Sequence, residues 1–256
     1  MMGTLAHKHA LVTGASRGIG LAIARALADE GARVTLAARD PVALQEAQLA
    51  VGRGAHALTI DITDGEAVQR AFADAVQRSG GIDILINNAG QAGSAPFVKT
   101  DAELWQRMID TNLSGTYHCI QAALPHMLAQ GWGRIVNVAS TAGLSGYRYV
   151  AAYCAAKHGV VGLTRALALE LAAKGITVNA VCPGFTETDI VQEAVANIMR
   201  KTGRNAEEAK AELAAHNPQG RLVQPDEVAN AVLWLCLPQS SAMNGQTIAV
   251  AGGEVM

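Results

Sequence analysis

Tyr153 and Lys157 stand four residues apart in the run YCAAK, and Ser140 ends an apolar run before them. On a helix, that spacing puts phenol and ammonium on one face. A free tyrosine titrates at about 10, too high for efficient proton transfer near neutrality. A neighbouring ammonium favours the phenolate and should bring it down. Ser140 would hold a substrate oxygen while Tyr153 gives it a proton, as acid toward a ketone, or removes one, as base toward an alcohol. Asn112, in DTNL, falls within a long apolar-periodic stretch. If its backbone carbonyl leaves the helical ladder, it holds a water that links Lys157 to solvent and refills the proton.

Such chemistry moves a hydride as well as a proton, and the chain has a place for its carrier. In TGASRGIG, Gly14 permits a tight turn, Gly18 lets backbone approach a diphosphate, and Gly20 lets a helix sit close to a sheet. Ser16, Arg17 and Ile19 fill that loop, and the N–H groups of the following helix attract phosphate. An oxidised nicotinamide would add a second positive charge beside Tyr153. The second strand ends in Ala38 and Arg39, where a carboxylate would hold the ribose diol of NAD(H). Arg39 and Arg17 could instead converge on a 2′-phosphate, which points to NADP(H). The alternative has Arg39 stacked on adenine and Arg17 solvated, leaving NAD(H) usable. Asp61 is suited to the adenine amino group, with Ile62 against the ring. In NNAG, Asn88, Ala89 and Gly90 let the cofactor pass over the sheet edge, with Asn87 as the main structural bridge.

The elements that must position these groups alternate in the sequence. Apolar runs at 9–13, 34–37, 56–60, 83–86, 134–138, 177–181 and 247–250 predict seven strands, separated by helical patterns that include one long helix over 103–129. The strands are apolar throughout, so cover on both faces and a parallel sheet are expected. The fold class is α/β, a single-domain Rossmann-like doubly wound fold over residues 1–256. A polar stretch at 189–217 breaks the rhythm. It predicts one or two short helices, a substrate lid or else a passive surface insertion.

Composition agrees: 256 residues, 50% hydrophobic but 4% aromatic, with 26 glycines. A net charge of -2 gives no field to gather a polyanion, so nucleic acid is not expected as a partner. The start carries no basic-then-apolar leader, and no window is apolar enough to span a membrane. The unpaired spacing of Cys119, Cys154, Cys182 and Cys236 suits a reducing cytoplasm. His118 and His126 lack clustered carboxylates, so no metal is expected. His158 should point off the catalytic face.

Taken jointly, TGASRGIG, NNAG, Asn112, Ser140 and YCAAK resemble the short-chain dehydrogenase/reductase family over essentially the whole chain. The resemblance implies catalytic roles for Ser140, Tyr153, Lys157 and Asn112. It implies that Tyr153 and Lys157 also contact the cofactor, Lys157 through the nicotinamide ribose, and that Pro183, Gly184, Thr186 and Thr188 of PGFTET lie at the carboxamide. A homotetramer is implied as well. PGFTETD and the closing AGG are similar to 3-oxoacyl and acetoacetyl thioester reductases and polyketide ketoreductases. NADP(H)-dependent reduction of such a thioester is therefore expected, with a catabolic secondary-alcohol, hydroxyacyl-CoA or sugar-alcohol dehydrogenase as the alternative. Candidate pocket walls are Ala92, Gly93, Thr141, Ala142, Leu144, Tyr147, Tyr149, Ile190 and Val191.

Overall fold

The computed structural model describes residues 3–52 and 54–256. Met1 and Met2, which begin the stretch read as leaderless, and Arg53 lie outside the described residues. Among the described residues the strands are β1 (His9–Thr13), β2 (Arg33–Ala38), β3 (His56–Thr59), β4 (Ile84–Asn87), β5 (Gly133–Val138), β6 (Ile176–Pro183) and β7 (Thr247–Val250). They form one parallel sheet in the order β3-β2-β1-β4-β5-β6-β7. The order reverses direction between β1 and β4. The carboxyl ends of these two strands therefore flank the crevice where ligands bind in doubly wound sheets.

Every residue of β1, β4, β5 and β6 is buried, as near-continuous Val, Ile, Leu and Ala require of strands covered on both faces. The expectation of uniform cover fails at the edges. Residues His56, Ala57 and Thr59 of β3 are exposed and β7 is only half-buried. An edge strand has one neighbour and less helix over it, and apolar residue type alone does not reveal that.

Helices α1 (Gly18–Asp29), α2 (Pro41–Val51) and α9 (Pro225–Cys236) cover one face, joining Leu27, Leu44 and Val232 to one core. On the other face, α3 (Gly65–Ser79), α5 (Gly115–Gln130) and α6 (Ala151–Leu171) bury Phe72, Met127 and Leu171. Asp40 and Asp64 begin α2 and α3 by accepting N–H groups of their first turns. Two further helices, α7 (Asp189–Thr202) and α8 (Ala206–Ala214), lie outside these layers around a small cluster of Val191, Leu213, Ala214 and Leu222. (The remaining helix, α4, is Ala102–Ile109.)

The single long helix expected over 103–129 is broken. A π turn at Asp110–Ser114 separates α4 from α5. Asn112 Nδ2 donates to the Met108 and Gln91 carbonyls, 3.0 Å each, and Gly115 packs under Ile62. An added residue in one turn changes apolar periodicity too little to be read from it.

Within the sheet, the His9 ring bridges Gly80 O and Thr35 Oγ1 at 2.8 Å each. Its burial pushes the ring below its ordinary value of 6.5. The unfolded chain therefore takes the proton more readily, and stability should fall as pH drops below about 6.5. We expect His9→Gln to lower stability by roughly 1–2 kcal/mol at pH 7.5 and to flatten the decline between about pH 7 and 5, read from melting temperatures. An unchanged acid slope would refute the assignment to His9.

Candidate active site

The glycine loop is built by close approach. A Cβ on Gly14 would stand 2.8 Å from Ala89 Cα and 2.9 Å from Asn88 Nδ2, and a Cβ on Gly20 would collide with the Gly14 carbonyl. Gly14 and Gly18 also have positive φ, 63° and 55°. The Asn88 amide donates to the carbonyls of Thr13 and Gly14, at 3.0 and 3.1 Å. Thr13 Oγ1 accepts the N–H groups of Asn88 and Ala89 at 3.0 Å each. Asn88 thus carries the tie between loops expected of Asn87. Asn87 bridges elsewhere, donating to Asn137 Oδ1 at 2.8 Å, and Asn137 donates on to Thr164 at 2.9 Å. Thr13 is a supporting residue that sequence reasoning misses, although its place at the end of β1 is a signal.

Around this cradle the other expected cofactor residues divide. Ser16, Gly18 and Ile19 line the loop half-buried, and Arg17 and Arg39 are exposed. Arg17 Nε pairs with Asp189 Oδ2 of α7 at 3.2 Å. Asp40, the carboxylate next to Arg39, is turned to the amides of Val42 and Ala43. Asp61 Oδ1 is taken up by the amide and hydroxyl of Thr63. Ile62 is drawn into the core over Gly115. Pro183 closes β6, the Thr186 hydroxyl turns back to Gly184 O at 3.0 Å, and Thr188 lies against Gly18. The cradle that any Cβ would fill, set at a helix amino terminus, fits a dinucleotide diphosphate.

The catalytic candidates converge beside it. Ser140 follows β5, with its Oγ accepting Ala142 N at 3.1 Å and set close to the Tyr153 phenol. Lys157 is buried on α6, its Nζ donates to Val138 O at 2.9 Å, and it lies 5.7 Å from the Tyr153 ring centre. Burial lowers Lys157 to about 8. Burial also pushes Tyr153 up, with the Ser140 hydrogen bond opposing. This corrects the expectation that Lys157 brings the phenol down: in the protein alone its ammonium is turned to the Val138 carbonyl, and desolvation prevails.

Gly90 explains how the groups fit together. A Cβ there would come 2.7 Å from Asn112 Oδ1 and 3.6 Å from Lys157 Nζ. Asn112 is buried in the π turn, where its carbonyl accepts the Thr116 hydroxyl at 3.2 Å. Of the pocket walls, Thr141, Ala142 and Val191 are buried, Val191 in the α7–α8 cluster, whereas Tyr149 and Ile190 are exposed. His158 is exposed and bonded to Cys154 O, His118 bonds Ile62 O, and His126 lies on Gly81.

A doubly wound parallel sheet, a phosphate cradle at its switch point and a serine–tyrosine–lysine cluster define a dinucleotide-dependent oxidoreductase. Residues 8–199 match the short chain dehydrogenase family, and the chain belongs to it. It is 44% identical over 261 residues, 98% of each chain, to a protein of Streptomyces coelicolor named as a candidate ketoacyl reductase. It is 38% identical over 249 residues, 97% of this chain and 98% of the other, to a 3-oxoacyl-acyl-carrier-protein reductase of Vibrio cholerae. A crystal structure of a Phe-to-Trp variant of actinorhodin polyketide ketoreductase with NADPH superimposes with a TM-score of 0.94. The two chains are 41% identical, with 99% of each covered.

Proposed function

We propose that this chain reduces a ketone with NADPH, and that its substrate is a 3-oxoacyl thioester carried on CoA or a carrier protein. The observation that carries this is the Ser140–Tyr153–Lys157 cluster beside the glycine cradle, in a chain 44% identical along 98% of its length to a ketoacyl reductase relative. When bound, the reduced nicotinamide supplies a hydride to the carbonyl carbon. Ser140 holds the carbonyl oxygen and Tyr153 donates the proton to it. Lys157 holds the nicotinamide ribose and keeps positive charge near the phenol as its proton leaves. Asn112, set in the π turn, holds the water through which that proton is replaced. Gly14, Ser16, Gly18, Ile19, Gly20, Asn88, Ala89 and Gly90 line the path of the dinucleotide, and Pro183, Gly184, Thr186 and Thr188 meet the nicotinamide end. Asp61 and Ile62 border the adenine, Ile62 by the little of it left outside the core.

Two observations support NADP over NAD. Arg39 stands exposed at the end of β2, and the nearest sequence carboxylate, Asp40, is committed to capping α2. Arg17 joins Arg39 at the 2′-phosphate by leaving Asp189, an exposed pair of small worth. The helices α7 and α8 act as the lid over 189–217. We read the protein as a cytoplasmic homotetramer; large apolar side chains left exposed on α4, α5 and α6, Trp105, Tyr117 and Leu169, support the association of copies.

The test is initial-rate reduction of acetoacetyl-CoA with NADPH and with NADH. We expect at least about tenfold preference for NADPH, and about a hundredfold loss of that cofactor's kcat/KM in Arg39→Asp, with NADH use maintained or improved. Negligible thioester turnover alongside fast NADH-linked conversion of a simple ketone would overturn the thioester and the NADP assignments together.

A further inference from the structure

One tyrosine bordering the cleft has its proton committed in advance. Tyr147 lies between Ser140 and α6, half-buried, and its hydroxyl donates to Glu254 Oε1 at 2.6 Å. Its ring meets Phe185 edge-on at 6.5 Å and His216 at 6.2 Å, while Phe185 and His216 meet at a tilt, 5.4 Å apart. The segment after β6, the end of the lid and the carboxyl-terminal tail therefore all fix its position. Tyr147 stands in the loop that joins Ser140, after β5, to α6, which carries Tyr153 and Lys157. The loop runs between the two elements that carry the catalytic residues, and this places the ring at the border of the cleft.

Glu254 is a strong partner for that phenol. Its second oxygen, Oε2, is buried against Gly184, 2.6 Å from where a Cβ would stand, and has no hydrogen-bond partner among the described residues. A carboxylate with few competing donors keeps its acceptor strength for the one donor it has. Burial, and then the bond to Glu254, push Tyr147 up to about 12, so it stays protonated throughout the working range. A phenol has one O–H to donate and lone pairs to accept. With the proton spent on Glu254, Tyr147 can offer a ligand only an acceptor.

We propose that Tyr147, oriented by Glu254, is a specificity residue that accepts a hydrogen bond from a hydroxyl on the substrate chain close to the carbonyl being reduced. The substrate class this selects is the hydroxyketone, over a plain ketone of equal length. A second acceptor at that place, such as an ether or carbonyl oxygen, meets lone pairs and is disfavoured. Tyr147 touches the substrate, and Glu254 is its positioning residue. This rests on the chain being a ketone reductase, and deepens it.

The test compares kcat/KM with NADPH for 4-hydroxypentan-2-one, its methyl ether 4-methoxypentan-2-one, and pentan-2-one in wild type, Tyr147→Phe, Glu254→Gln and Glu254→Leu. The wild type should favour the hydroxyketone by about tenfold, the worth of one oriented hydrogen bond. Tyr147→Phe keeps the ring among Phe185 and His216 and should bring the ratio near one. Glu254→Gln still accepts the phenol proton and should keep the ether disfavoured, whereas Glu254→Leu frees that proton to donate to an ether oxygen and should bring the hydroxyketone-to-ether ratio near one. That split separates positioning from mere structure, and Tyr147→Phe decides the subsite whether or not Glu254→Leu folds. A wild-type ratio near one, or a preference surviving in Tyr147→Phe, overturns the proposal. An ether disfavoured in Glu254→Leu as strongly as in wild type overturns the role of Glu254. An intact hydroxyketone preference without acetoacetyl-CoA turnover overturns the thioester assignment alone.

Discussion

Tyr153→Phe should lower ketone reduction by about a thousandfold or more, because it removes the one group placed to protonate the carbonyl oxygen. The variant is clean: the ring that lies 5.7 Å from Lys157 Nζ remains, and only the hydroxyl beside Ser140 is lost. In the protein alone, burial holds the Tyr153 phenol above its ordinary value, so it is protonated at neutral pH and poised as an acid. The loss should therefore fall on kcat. Binding of NADPH, followed by its fluorescence, should stay within about threefold, since the glycine cradle is untouched. Residual turnover above about a tenth of wild type would remove Tyr153 from the acid role. A matching loss of NADPH affinity would make it a cofactor anchor instead.

How far the sequence carries this site depends on the kind of contact. Gly14, Gly18 and Gly20 are legible because a tight strand-to-helix turn with backbone pressed against backbone demands glycine. Tyr153 and Lys157 are legible because a spacing of four on a helix fixes a common face. A doubly wound parallel sheet follows from alternation and handedness once the elements are assigned, but its strand order does not, because more than one order satisfies both. Contacts between distant segments are not legible. Nothing in NNAG tells which asparagine reaches Gly14 and which reaches Asn137, because adjacent strand-end residues point opposite ways and the register decides. The π turn at Asp110–Ser114 escapes for a related reason: its cause is the Asn112 amide reaching across to Gln91, 21 positions away in the chain. Glu254 is invisible as a partner of Tyr147, since a carboxylate near a chain end is ordinarily solvated and 107 positions separate the two. The protonation of Tyr153 differs from expectation because spacing reveals the lysine's charge but not the burial around the phenol.

Lys157→Met should be the second large loss, about a hundredfold or more in kcat/KM, with a changed pH profile as its signature. The Lys157 ammonium is buried with the Val138 carbonyl as its hydrogen-bond acceptor at 2.9 Å, and burial brings it to about 8. It is charged below that value and neutral above. Only the charged form stabilises negative charge growing on the phenol as Tyr153 releases its proton, so the rate of reduction should decline as pH rises through about 8. Methionine fills the volume but carries no charge, and the decline should vanish with most of the rate. Lys157→Arg separates charge from shape. Its guanidinium stays protonated, so the decline near 8 should again disappear, but the larger planar group has to displace its neighbours in the buried slot beside Val138 O. Low activity in the arginine variant at every pH would mean that the ammonium must occupy this slot. Near-wild-type activity with the decline intact would place the titration on another group and leave Lys157 as packing.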